Sequence, residues 1–144
     1  MRSRFDFKAL VMVGAVGVVV AGCGASTASP SAPAAGSISV TLSEWAVTPA
    51  TRSASAGEIT FVVSNSGAQV HEFVVVKTDL KGDTLPVVNN KIDESSLTPV
   101  DEIEDIAIGS SPTLKVTLAA GHYVLLCNIE THYGLGMHAD FDVK

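Results

Sequence analysis

Cys127, His132 and Met137 stand near the end of the chain as Cys-x4-His-x4-Met, in the run Cys127-Asn128-Ile129-Glu130-Thr131-His132-Tyr133-Gly134-Leu135-Gly136-Met137. Thiolate, imidazole and thioether form a donor set that suits copper: soft sulfur for Cu(I), imidazole for either oxidation state. A trigonal copper site requires a second imidazole, and His71, in Val70-His71-Glu72-Phe73-Val74-Val75, is the upstream candidate. Beyond residue 22 Met137 is the last methionine and Cys127 the last cysteine apart from Cys23. A thiol without a disulfide partner outside the cytoplasm is a liability unless it is buried or bound. Metal ligation would resolve that.

The elements that must position these residues read as strands. Ile38, Val40 and Leu42 alternate with small polar residues, and the same period of two runs through Ile59-Phe61-Val63, Leu114-Val116-Leu118 and Phe141-Val143. Phe73 to Val76 and Tyr123 to Cys127 are apolar on both faces and are expected at the centre of the fold. Turn residues punctuate the runs at Ala56-Gly57, Asn65-Ser66-Gly67, Gly109 to Pro112 and Ala120-Gly121. Short strands at this spacing predict an all-β domain, an antiparallel Greek-key β-sandwich of about seven to eight strands. The polar segment 77–100 is too long for a hairpin. It is expected to run over one end of the sandwich, with one helical turn near Asp93 to Leu97.

Alternation then sorts the histidines. Met137 and Ala139 share a phase with Phe141 and Val143, Cys127 with Leu125 and Tyr123, and His71 with Phe73 and Val75, so all three ligand candidates point inward. His122 and His138 fall on the other phase and point outward. His132 lies in the turn between Cys127 and Met137 and must fold back over them.

The N-terminus carries Arg2, Arg4 and Lys8, then the apolar run Ala9 to Ala21, the pattern of a secretory leader. Val20-Ala21-Gly22-Cys23 resembles a bacterial lipobox, which implies cleavage after residue 22 and lipid on Cys23. Residues 23–36 are small or Pro-rich and uncharged, the composition of a flexible tether. The folded domain is expected over 37–144, long enough for one core and too short for two domains. Without residues 1–22 the chain carries six Lys and Arg against fourteen Asp and Glu, a net charge of −8, the wrong sign for nucleic acid.

The ligand run, together with the pair around Asn65-Ser66-Gly67 leading into His71, resembles the cupredoxins, the plastocyanin and azurin family of type 1 copper proteins. The resemblance covers nearly all of 37–144. It implies one copper ion, Cu(I) or Cu(II), held by His71, Cys127, His132 and Met137, with Met137 the weak axial ligand. The Cys-to-His spacing is that of azurin-like members and the His-to-Met spacing that of plastocyanin. Glu72 stands where many members carry a small amide that braces the thiolate.

A closed four-ligand site implies a one-electron carrier and no catalysis, because no open position is left for substrate. The alternative is a copper delivery or sequestration protein. Tyr133 and Leu135, flanking His132 with two glycines, form a candidate docking patch for a redox partner. The acidic run between residues 91 and 105 could steer a basic one. The expected setting is a monomer in the cell envelope, lipid-anchored through Cys23 to the outer face of the membrane, exchanging electrons with membrane-associated redox proteins.

Overall fold

The computed structural model describes residues 36–144. The leader at 1–22, the lipidation site at Cys23 and the tether up to residue 35 lie outside the described residues. Two sheets face each other. Strands β1 (Ser37–Ser43), β2 (Ala46–Pro49), β4 (Gly57–Asn65) and β9 (Thr113–Leu118) form a sheet of order β2-β1-β4-β9. The second sheet, of order β3-β11-β10-β5-β8, contains β3 (Ser53–Ala54), β5 (His71–Lys77), β8 (Thr98–Ile106), β10 (Gly121–Leu126) and β11 (His138–Val143). A small ribbon, β6 (Val87–Val88) with β7 (Lys91–Ile92), lies in the segment between β5 and β8.

Eight of the described strands have four or more residues, matching the number expected. The sandwich is mixed, however, and not purely antiparallel: β1 runs parallel to β4, and β3 parallel to β11. Alternation sets which face a strand buries but says nothing of its neighbour's direction, so the sequence could not separate the two arrangements.

The inward faces build the core as the period predicts. Val40, Leu42, Phe61, Val63, Phe73, Val75, Leu125, Met137 and Phe141 are buried in one cluster between the sheets. Phe61 meets Phe73 and Phe141 edge to face, at ring centroids 5.4 Å and 5.6 Å. Such pairs contribute about 0.5–1.5 kcal/mol each beyond the area they bury.

β5 and β10 are apolar on both faces because both faces are covered. Val74, Val76, Val124 and Leu126 pack on the outer side against Leu85, Ile92 and Tyr133. The polar excursion therefore lies across the outer face of the second sheet, where it was expected over one end: its few apolar residues have only that uncovered valine and leucine surface to bury against. Its one helical turn is the 3-10 turn Glu94–Ser96, capped by Asp93, whose carboxylate accepts from the Ser95 N–H. The acidic run downstream, read from sequence as a charged face, is the edge strand β8. Its carboxylates are solvated along an edge that charge protects against further pairing.

Candidate metal centre

The four ligand candidates meet at one end of the sandwich. His71 opens β5 and is fully buried, as are Cys127, just after β10, and Met137, just before β11. The Nδ1 atoms of His71 and His132 lie 3.3 Å apart, and Cys127 Sγ is 3.4 Å from His132 Nδ1. One ligand atom from each of these three residues lies within 4.8 Å of the other two. Met137 is packed in the same buried cluster as Cys127. Buried imidazole nitrogens converging on a thiol and a thioether fit one copper ion of the type 1 class, with Cys127 as thiolate, His71 and His132 through Nδ1, and Met137 as the soft fourth donor.

Backbone bonds hold this geometry. The loop closes on itself where the Cys127 N–H donates to the Met137 carbonyl (3.0 Å) and the Met137 N–H to the His132 carbonyl (3.2 Å). Between them a 3-10 turn, Tyr133–Leu135, ends at Gly136 with φ +117°. A side chain at that position would be strained, and its Cβ would stand 3.2 Å from the Trp45 carbonyl. Asn128 fixes the start of the loop: its Oδ1 accepts from the Ile92 N–H at 2.7 Å and its Nδ2 donates to Glu94. The irregularity beside His71 lies in the partner strand β8, which carries one extra residue opposite the start of β5. The β5–β8 register shifts between His71 and Phe73, and the facing Asp105 has φ +50°, a bulge that re-aims the end of the strand.

The electrostatics favour a neutral, desolvated site. Burial pushes the Cys127 thiol up, against the pull of the Ile129 and Glu72 backbone N–H groups. Burial first, and then the neighbouring His71, holds His132 below the ordinary histidine value. The Glu72 N–H points at Cys127 Sγ from 3.3 Å, so the brace on the sulfur comes from the backbone and needs no side-chain amide. The Glu72 carboxyl is itself pushed up to about 7, first by burial and then by Glu102 and Glu94.

The histidines outside the set are placed elsewhere. His122 Nδ1 pairs with the Thr78 carbonyl and its Nε2 with Asp140 at 3.1 Å. His138 packs against the Tyr133 ring at 5.1 Å.

Two surface expectations change. Tyr133 is buried and is not part of an exposed patch with Leu135. Its hydroxyl donates to the Gly82 carbonyl (2.6 Å) and accepts from the Leu85 N–H (3.0 Å), pinning the excursion to the loop. His132 is also buried, at 5 % exposure, because the Trp45 ring stands edge-on over it with centroids 5.0 Å apart. Trp45 and Glu44, in the turn between β1 and β2, were not found by sequence reasoning. That Trp45 is the chain's single tryptophan was the one signal available.

Solved structures share the fold. A dithionite-reduced auracyanin from the photosynthetic bacterium Roseiflexus castenholzii is 23% identical, over 78% of this chain and 99% of that one, with a TM-score of 0.56. Auracyanin A of Chloroflexus aurantiacus, a "blue" copper protein, is 22% identical over 75% and 98%, with a TM-score of 0.55. Rusticyanin of Thiobacillus ferrooxidans is 16% identical over 75% and 76%, also at 0.55. No curated protein matches the sequence. Residues 14–137, a span that takes in His71, Cys127, His132 and Met137, match the cupredoxin-like domain, and the chain belongs to that family.

Proposed function

We propose that this protein is a one-electron carrier, anchored by lipid on Cys23 to the outer face of a membrane in the cell envelope, where it serves membrane-associated redox proteins. The observation that carries the reading is the closed donor set: three converging ligand atoms and a thioether, all on buried residues. A copper ion held there would supply a one-electron couple. The chain supplies rigidity. His71 is fixed by β5, Cys127 and Met137 are tied to each other through the backbone, and His132 is clamped under Trp45. A site that keeps one geometry in both oxidation states needs little reorganisation when an electron moves.

Electrons would enter and leave at the Trp45 and Leu135 edge. Leu135 is 51% exposed and Trp45 37%, and both lie close in sequence or space to His132. The auracyanins and rusticyanin support the reading as fold relatives, one of them described as a blue copper protein. For the lipid anchor, the support is the lipobox-like Val20-Ala21-Gly22-Cys23 and the tether that follows it.

The purified full chain should bind one Cu(II) and become intensely coloured by charge transfer from the Cys127 thiolate. Cys127→Ser should remove the band, since serine oxygen lacks the covalent donation. Met137→Gln should keep colour and lower the potential, because a harder oxygen favours Cu(II). A serine variant that keeps the band would refute the ligand assignment. Copper content after repeated redox cycles against a chelator separates the two roles: retention fits a carrier, and prompt loss on reduction would point to copper delivery. Mass spectrometry of the protein from membranes reads the lipid on Cys23 directly.

A further inference from the structure

Behind His71, on the side away from the other ligands, stands a carboxylate that the four-ligand description leaves out. With Nδ1 turned toward His132, His71 Nε2 is fully buried and lies 3.2 Å from Glu44 Oε1. The approach is close enough for an ion pair but misses hydrogen-bond alignment, and no other partner among the described residues satisfies that nitrogen. A neutral imidazole that gives Nδ1 to a metal must carry its proton on Nε2. Metal binding therefore creates a buried N–H donor beside this carboxylate, and a small rotation of either group aligns it.

Glu44 is built to wait there. Both its oxygens accept from the Ala68 N–H (3.0 Å and 3.1 Å), and Oε1 accepts from the Gln69 N–H (2.9 Å). Those donors fix the carboxylate in place beside His71. Gly67 makes the approach possible, since a Cβ at that residue would stand 2.6 Å from Glu44 Oε1. One side chain from the β1–β2 turn thus ties down the loop that delivers His71 and reaches the ligand's remote nitrogen.

We propose that Glu44 is the positioning residue of the centre: its carboxylate accepts the His71 Nε2–H when Nδ1 is committed to metal, fixing the tautomer and making the imidazole a stronger donor. The inference rests on the copper reading of the site. Carboxylates behind metal-bound histidines raise ligand basicity, and their loss commonly costs 10–100-fold in metal affinity. A stronger, partly anionic donor favours the dication over the monocation, so Glu44 lowers the potential relative to a neutral acceptor.

The test compares the full chain with Glu44→Gln and Gly67→Ala. Glutamine keeps an oxygen for Ala68 and Gln69 but removes the charge, whereas alanine at 67 keeps the charge and pushes the carboxylate away. Both should bind Cu(II) at least about tenfold more weakly, while Cu(I) affinity falls less. A tenfold difference between the oxidation states raises the potential by about 59 mV. The Zn(II)-loaded protein supplies a readout independent of redox chemistry: a slowly exchanging, downfield His71 Nε2–H proton resonance that moves upfield in Glu44→Gln. Equal weakening of Cu(I) and Cu(II) with an unchanged potential would reduce Glu44 to a loop anchor and overturn the proposal. So would variants that match a coloured parent in affinity, potential and proton resonance. A parent that takes up no copper and shows no colour would instead overturn the copper reading, and this inference with it.

Discussion

His71 and His132 turn the same atom toward one centre from opposite circumstances. His71 belongs to a strand, is fully buried, and has the Glu44 carboxylate at its far nitrogen. His132 belongs to a loop, forms no ion pair with a carboxylate among the described residues, and is shielded from water by the partly exposed ring of Trp45. The first is held by the sandwich and the second by a roof. In the proposed carrier, ligands fixed in these two ways would divide the work: one would set the electronic character of the site, and the other would be the way in.

Removing each imidazole in turn is the most damaging test of that division. His71→Gly and His132→Gly should both lose the thiolate band. Added imidazole should restore colour to His132→Gly, whose cavity would open under Trp45 at the surface, and fail to restore it to His71→Gly, whose cavity is enclosed. Equal rescue of both, read by visible absorption, would break the distinction.

Trp45→Ala sharpens it with a smaller effect. Loss of the edge-to-face contact should lower the stability of the metal-free protein by about 0.5–1.5 kcal/mol, measured by urea unfolding. It should also quicken electron exchange with a small hydrophilic reagent, because His132 would become accessible, while the potential stays near that of the parent. A slower rate would mean that the indole is itself the path for the electron.

The smallest effect concerns Glu72, which follows His71 in sequence and points its N–H at Cys127 but lies outside the donor set. Its carboxyl is raised from the ordinary 4.5 to about 7 by burial and by Glu102 and Glu94. A raised acid binds more protons folded than unfolded, so ionisation takes stability away as pH rises from about 4.5 through 7. Glu72→Gln should therefore raise the melting temperature of the metal-free protein at pH 8 and leave it nearly unchanged at pH 4. The same gain at both pH values would show that the substitution acts through packing.

Much of this was legible in the residues themselves. Period-two alternation put Phe61, Phe73 and Phe141 in the core and turned His122 and His138 away from the ligands, because a pleated strand leaves a side chain only two directions. The donor types of Cys127, His132 and Met137, and their spacing in one short loop, named the metal before any fold was known. Contacts between distant segments were not legible. Glu44 and Trp45 are the adjoining residues of a single turn, and nothing local marks one as reaching His71 and the other as covering His132. The same holds for Tyr133, whose setting in Gly and Leu suggested a surface, although its hydroxyl is bound by Gly82 and Leu85 about fifty residues upstream.

The sequence by itself determined the all-β core and the ligand chemistry, since strand phase and donor softness are properties of residues and their short-range spacing. The tertiary structure decided strand direction, the burial of His132 and the carboxylate behind His71. Those depend on which segments meet across the sandwich, and that choice is made by the packing of the whole domain.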